Sequence, residues 1–399
     1  MNFEIGEESK KFLEVFREFC KKEISDSVED SEKNGEIPKS HFTKLYDIGY
    51  NGLLHKEEYG GSDSGYLQAI LTQEILSEYC GSTFFSVGAS VGLFGIPLSE
   101  YGTEEQKKIY LREVISGKKI GCLAVTEPDA GSDVSSITST AKKIGSEYIL
   151  NGQKTYITNA PICDYILALA RIFDSEKKES GLTCFVFESN KKGVVRGKKL
   201  SKMGLKGSPT GELFFEEVRL NQENILGRPG KGFQMIMEAF NRERLSLAAY
   251  CVGTMAACLN DCIEFSKKRK SFGRPISKHQ SVGFMLSDIL VKYESARVVL
   301  HEASWMMDKF SNSKKSDSRM MHNGSPVDLT AKMATAKLLA STHAREVANL
   351  AVQIHGGAGF MDEYRVSRIY RDVKLAEIGG GTSEIQKQII ARSEKKRVK

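Results

Sequence analysis

The chain has one tryptophan, eight prolines and eight cysteines, and no two cysteines fall in a CxxC pair. Cys251, Cys258 and Cys262 are spaced like core positions of one helix and have no histidine close by in sequence, so reduced thiols and no metal site are expected. No apolar run is long enough to read as a bilayer span, so membrane insertion is not expected. Neither a P-loop nor a GxGxxG fingerprint in a βαβ context is present, which argues against Rossmann and kinase-like folds. The excess of basic over acidic residues is small, 57 against 51, and the basic residues are spread along the chain, so no nucleic-acid partner is expected. The first residues are acidic and polar where a secretory or mitochondrial leader would be basic. A cytoplasmic location is expected, or the mitochondrial matrix if the native N-terminus has been trimmed.

What is present is an ordinary globular composition, 40% hydrophobic and 27% charged, over 399 residues, enough for two or three domains with a large core. One stretch stands out, Phe233–Cys251. Phe233, Ile236, Met237, Phe240, Leu247 and Ala248 share one arc at the helical period, and two charges invade it. Arg244 lies inside the stripe and Glu243 at its edge, while Arg242 points the opposite way, as a solvent-facing residue should. A charge on a buried face needs a partner or a role.

Residues up to about 119 carry helical periodicity, with Thr103 to Gln106 as a capping box. From Gly121 short apolar runs alternate with turns. Asn151-Gly152 between Tyr148–Leu150 and Tyr156-Ile157 predicts a hairpin turn, and Tyr165–Ala170, Leu182–Phe187 and Leu213–Phe215 predict strands. After Gly230 the pattern is helical again: Gly232–Lys268, Gln280–Lys309, a third helix opening at Ser325-Pro326 after a polar linker (Ser311–Gly324), and a final one capped by Ser383 and Gln386. The expected architecture is an α+β multidomain chain: an N-terminal α-helical domain over 1–119, a middle antiparallel β domain over 120–230 and a C-terminal four-helix bundle over 231–399.

Two loops suit a phosphate-bearing or flat ligand. Val125–Asp133 offers small and hydroxylated residues after a strand, and Gly379–Thr382 sets three glycines before a helix N-terminus, where free N–H groups favour a phosphate or a polarised oxygen.

These loops, with Tyr156–Asn159, Lys202–Glu212, Arg269–Gly273, His279-Gln280, Gln353–Gly357, Arg371-Asp372 and Gly381–Glu384, occur in an order that resembles the acyl-CoA dehydrogenase flavoproteins nearly end to end. The resemblance implies a homotetramer with one FAD per subunit, acyl-CoA as substrate and an electron-transfer flavoprotein as electron acceptor. It places Leu123, Val125, Thr126, Gly131 and Ser132 along the flavin, Ser132 also near the acyl-CoA, and Tyr156 and Thr158 beside the ring system. Arg269, Ser271, Phe272 and Gln280, with Gln353, Gly356 and Gly357, some from a neighbouring subunit, are implied at the adenine and pyrophosphate end. Thr382 and Glu384 complete the cofactor site, and Asn241, Arg244 and Gly381 are implied near the substrate.

Two positions depart from the common pattern. Tyr156 stands where many relatives have Trp. Gly380 stands where the family's usual catalytic glutamate precedes a Gly-Thr pair, and Glu243, in Asn241-Arg242-Glu243-Arg244, matches the site used by the isovaleryl-CoA and long-chain-type branch. The implied reaction is desaturation of an acyl-CoA to the trans-2-enoyl-CoA, with Glu243 as base and the backbone N–H of Gly380 and a ribityl hydroxyl of FAD as oxyanion donors. Rival readings on the same fold are an acyl-CoA oxidase-like enzyme using oxygen and a non-catalytic, nucleic-acid-binding flavoprotein.

Overall fold

The computed structural model describes residues 5–173, 178–311, 319–322 and 325–397. Helices α1 (Glu7–Phe19), α2 (Val28–Asn34), α3 (Ser40–Asp47), α4 (Tyr66–Tyr79), α5 (Gly81–Gly88), α6 (Gly95–Tyr101), α7 (Glu104–Gln106) and α8 (Arg112–Ile115) come first. Strands β1 (Gly121–Ala124), β2 (Thr140–Ile144), β3 (Glu147–Thr158), β4 (Tyr165–Phe173), β5 (Glu179–Glu188), β6 (Val194–Lys199), β7 (Thr210–Asn221) and β8 (Ile225–Leu226) form one sheet. Then follow α9 (Gly232–Lys268), the hairpin β9 (Lys270-Ser271) and β10 (Arg274-Pro275), α10 (Gln280–Ser311), the hairpin β11 (Arg319–His322) and β12 (Ser325–Asp328), α11 (Leu329–His355), α12 (Arg365–Asp372) and α13 (Ser383–Arg397). The fold is helical, β, helical, as the sequence pattern implies.

The sheet is mixed rather than antiparallel. Its order is β6-β7-β3-β2-β4-β5-β8, with β1 beside β4. Strand β4 runs opposite to β3 but pairs with β2 on the far side of the β2–β3 hairpin, so β2 and β4 are parallel, and so are β1 and β4. Asn151-Gly152 is not a turn. Strand β3 runs through it, and the pair forms a bulge opposite β7, with the Asn151 side chain accepting the Glu217 N–H at 2.9 Å. The hairpin turn lies at Gly145, whose φ of +61° supplies the left-handed backbone between β2 and β3.

Helix expectations hold in one place and shift in others. Thr103 and Gln106 form their capping box. Ser325-Pro326, however, belongs to β12, and α11 starts at Leu329 with Asp328 accepting from the N–H groups of Thr330 and Ala331 at 3.0 and 3.3 Å. Residues 312–318 and 323–324 of the expected linker lie outside the described residues. At α13 the cap is Thr382, whose hydroxyl accepts from Ile385 N–H at 3.4 Å, while the Gln386 side chain turns back to the preceding glycines. Helix α9 and the helical stretch Gly81–Tyr101 do reach the length and hydropathy of a membrane span, but both are mostly buried inside the protein. Arg242 is not solvent-facing either; it pairs with Glu100 on α6, an element that a helical wheel of α9 alone does not contain.

Helix α9 crosses α4 at Gly253. A Cβ built there would lie 2.2 Å from the Glu74 carbonyl oxygen and 2.8 Å from the Ser77 Cβ, so two backbones meet. The Glu74 carboxylate in turn accepts from Arg297 Nε at 3.2 Å and His301 Nε2 at 2.7 Å, tying α4 to α10.

The loop after β1 is held from behind by a buried ion pair. Lys154 on β3 and Glu127 are 0% and 3% exposed, with Nζ 2.8 Å from Oε1. Lys154 Nζ also donates to the Val125 carbonyl at 3.0 Å, and Thr155 N–H to the Thr126 carbonyl at 2.9 Å. The remaining lone pairs of Glu127 accept from Thr138 N–H and Oγ1 and from Ser139 N–H, at 2.6, 2.8 and 3.0 Å. Burial alone would raise the Glu127 pKa; Lys154 and these donors outweigh it and bring it down to about 2.

Two outcomes follow from this packing. Gly253→Ala gains about 1 kcal/mol of helix propensity, but its overpacking cost sits at the upper end of about 1–3 kcal/mol, so urea unfolding should show a net loss of about 2 kcal/mol. Lys154→Met strands a buried carboxylate and should cost about 3–5 kcal/mol in the same assay at pH 7. Because the folded pKa of Glu127 is depressed, the pair's contribution is present above about 4.5 and is lost as pH falls toward 2, so parent and variant should converge in acid.

Candidate functional site

A cavity of about 850 Å³ opens where the sheet, α4, α5, α9 and the segment between α12 and α13 meet. Its size suits a ligand much larger than water. Leu123, Val125, Thr126, Gly131, Ser132, Tyr156 and Thr158 line it from the β side, and Glu243, Gly380, Gly381 and Thr382 from the helical side. Eleven of the residues expected to serve cofactor or substrate are thus on one wall or another. Behind the 125–133 loop, Lys154 Nζ draws the Val125 carbonyl and the Thr155 N–H draws the Thr126 carbonyl toward β3. Tyr156 reaches the cavity because a second bulge, between Lys154 and Ile157, gives it a left-handed φ of +57°. A strained non-glycine backbone of this kind persists only where surrounding contacts impose it, and Lys154 and Ile157 on either side of Tyr156 are both buried.

This wall fits a flavin. Apolar Leu123 and Val125, the hydroxyls of Thr126, Ser132, Thr158 and Thr382, and the aromatic face of Tyr156 offer a flat surface edged with hydrogen-bonding groups. Apolar residues also line the cavity, with Tyr66, Ala69 and Ile70 from α4, Phe85 and Gly88 from α5, and Leu93.

Glu243 stands on the cavity wall. Burial raises its pKa to about 7, with Arg244 and Lys337 acting in the opposite direction, and its Oε2 has no hydrogen-bond partner among the described residues. A Cβ built on Gly380 would lie 3.6 Å from both Cδ and Oε2 of Glu243 and 2.5 Å from Cδ1 of Leu247. The carboxyl of residue 243 therefore occupies the space toward which a side chain at 380 would point.

Other expected residues lie elsewhere. Arg244 donates to the Asn241 side-chain oxygen, and neither residue lines the cavity. Glu384 is exposed in the first turn of α13. Arg269, Ser271, Phe272 and Gln280 gather around the β9–β10 hairpin, and Gln353, Gly356 and Gly357 end α11 beside them, since Phe265 stacks on His355 at 4.2 Å. Between Glu243 and Arg269 the 26-residue run of α9 spans ~39 Å at 1.5 Å per residue. Within one chain the expected cofactor residues thus form two separate groups.

Three residues hold the site in ways the sequence pattern does not convey: Asp372 reads only as part of a motif, Gln386 only as a helix cap, and Lys337 belongs to no motif. Asp372, buried, accepts the Leu205 N–H at 2.5 Å and pins the Lys202–Ser208 loop, where Leu205 has φ +50°; burial and the nearby Glu32 push its pKa up to about 7. Lys337 and Gln386 are fully buried under the Gly379–Gly381 turn. Lys337 falls within the stripe Ala334, Ala340, Ala344 of α11, so the same out-of-register test that marks Arg244 marks it too.

Residues 6–118, 122–218 and 230–395 match in order the acyl-CoA dehydrogenase N-terminal, middle and C-terminal domains. The chain is 38% identical over 392 residues to the probable acyl-CoA dehydrogenase YngJ of Bacillus subtilis (strain 168), covering 98% of this chain and 99% of that one. It is 34% identical over 387 residues to the caffeyl-CoA reductase-Etf complex subunit CarC of Acetobacterium woodii, covering 97% and 98%. The structure of butyryl-CoA dehydrogenase from Megasphaera elsdenii superposes with a TM-score of 0.90 at 34% identity, covering 98% of this chain and 99% of that one. With three domains matched in sequence order around a cavity fit for a flavin, the protein belongs to the acyl-CoA dehydrogenase family of FAD-dependent oxidoreductases.

Proposed function

We propose that the chain desaturates an acyl-CoA thioester between its α and β carbons, with Glu243 as the base. The observation that carries this reading is the 3.6 Å between the Glu243 carboxyl and the space a side chain at Gly380 would enter. Two backbone positions converge on one point, and only one of them bears a carboxylate. The Oε2 without a partner and a pKa near 7 suit a group that must take up a proton and release it. Glu243 removes the α proton, and the Gly380 N–H meets the charge that grows on the thioester oxygen. Bound FAD supplies the hydride acceptor for the β hydrogen. Leu123, Val125, Thr126, Gly131, Ser132, Tyr156, Thr158 and Thr382 would hold the flavin, and the apolar lining from α4 and α5 would take the acyl chain.

We assign the Arg269 group, with Gln353, Gly356 and Gly357, to the cofactor of a neighbouring subunit in a homotetramer. Its separation along α9 from the cavity supports this. So does the apolar surface around it: Phe272 and Phe360 are 93% and 80% exposed, and Phe284, Val291 and Val298 repeat every seven residues along the outside of α10. An electron-transfer flavoprotein is the proposed electron acceptor, supported by the similarity to a subunit named for its Etf complex. A cytoplasmic location is proposed with it, as is the division at residues 119 and 230.

Anaerobic mixing with butyryl-, isovaleryl-, octanoyl- and 3-phenylpropanoyl-CoA should bleach the flavin with at least one of them; the aryl member is included because CarC is named for caffeyl-CoA. Glu243→Gln should then lose on the order of 10²–10⁴ in turnover while keeping flavin and acyl-CoA binding. In the parent, kcat/KM should rise with pH through about 7 as the base ionises. Turnover of Glu243→Gln within roughly tenfold of the parent would sink the assignment. Arg269→Ala should lower the flavin-to-protein ratio after gel filtration, because a pyrophosphate loses its cation; undiminished flavin would remove that residue from the cofactor site.

A further inference from the structure

The turn that carries the Gly380 N–H is locked from below by two fully buried side chains. Gln386 Nε2 donates to the Gly380 carbonyl at 3.0 Å and to the Gly381 carbonyl at 2.8 Å, and Lys337 Nζ donates to the same Gly381 carbonyl at 2.8 Å. The two peptide units that follow Gly380 are thereby fixed with their oxygens turned into the bundle. Gly380 and Gly381 sit at φ +60° and +89°, and a glycine pair costs little to rotate, so without these donors a carbonyl could swing toward the cavity. A carbonyl dipole facing a developing oxyanion is the opposite of what the site requires.

Gln386 alone would hold both oxygens, so Lys337 needs a further reason to be there. Burying an ammonium without an anion is costly, and among the described residues Lys337 forms no ion pair. The groups that act on it are Glu243, Arg244 and Cys251 from α9 and Glu377 from the turn after α12. Glu377 is already engaged by Arg345 Nε at 3.0 Å and Lys374 Nζ at 2.7 Å. Cys251 is a buried thiol whose pKa burial pushes up to about 12, so it is neutral. That leaves Glu243 as the anion whose charge Lys337 offsets, and Arg244 as the other cation acting on that carboxylate.

We propose that Lys337 is a positioning residue for proton abstraction: from beneath the Gly379–Gly381 turn it holds the Gly381 carbonyl away from the reacting thioester and keeps Glu243 ionised so that it can accept the α proton. The proposal rests on Glu243 being the base. Burial lowers the Lys337 pKa to about 8, so the ammonium keeps its charge at neutral pH. Removing that charge takes away one of the two cations that counter the burial of Glu243, so the pKa of Glu243 must rise. Gln386 shares the clamp but carries no charge, so the two roles can be separated.

The test is the pH dependence of kcat/KM for the flavin-loaded enzyme, with the acyl-CoA that bleaches its flavin fastest. Lys337→Met should lower kcat at least roughly tenfold and move the acid limb up by about one pH unit. Lys337→Arg should leave the limb near its parental position, and Gln386→Leu should lower kcat without moving it. If Lys337→Met does not fold, Lys337→Gln, neutral but polar, is read by the same criterion. An acid limb unmoved by loss of the charge overturns the proposal, whatever happens to kcat. Should Glu243→Gln itself remain active, it is the base assignment that fails; an inactive Glu243→Gln with an unmoved limb in Lys337→Met defeats the Lys337 proposal alone.

Discussion

The contact on which the flavin wall depends is the 2.8 Å ion pair between Lys154 and Glu127. Neither charge is affordable by itself in that interior, and together they form a knot: the lysine also takes the Val125 carbonyl, and the carboxylate also takes three donors from Thr138 and Ser139. Four hydrogen bonds and one charge pair thus tie the start of the loop to β3 and to the approach to β2. Apolar side chains of similar volume in place of the knot would fill the same space, but nothing would then set where the carbonyls of the loop point. Its value is in orientation more than in stability.

A similar economy appears at other polar side chains around the cavity. Asp372 fixes the Leu205 backbone, Glu32 accepts from Ser82 and from the Gly207 N–H, and Lys337 and Gln386 hold the glycine turn. Each is a polar side chain spent on a backbone group of a loop. Loops with left-handed residues, here Leu205, Gly380 and Gly381, have low intrinsic order and must be held by something other than a ladder or a helix. The stretch of α9 from Leu247 to Ala257, by contrast, is mostly apolar and almost wholly buried, so the helix can serve as a rigid rail along which Glu243 is placed.

What could be read from sequence follows the range of the forces involved. Glu243 was legible because helical period is local and a carboxylate at the edge of an apolar stripe breaks it. Lys337 breaks a stripe in the same way, but the alanine-rich face of α11 gives a weaker contrast. Asn151-Gly152 reads as a turn because its backbone preference is local, while its place within β3 is set by pairing with β7, some sixty residues away in sequence. Arg242 reads as solvent-facing for the same reason, since its partner Glu100 comes from a different helix, far away along the chain. The cofactor loops were recognised as an ordered set of short motifs; their division into two groups at either end of α9 needed the three-dimensional path of that helix.

The empty Cβ position at Gly380 also sets a rule of exclusion. A carboxylate grown from that backbone would meet Leu247 first and then the Glu243 oxygens, and two carboxylates at such range share a single proton rather than both ionising. A chain of this fold can therefore carry its acid group on the long helix or on the glycine turn, but not usefully on both. Moving it from one to the other passes through a sequence with two interfering groups or with none, so glycine at 380 is the complement of glutamate at 243, and the two positions are one site written in two places.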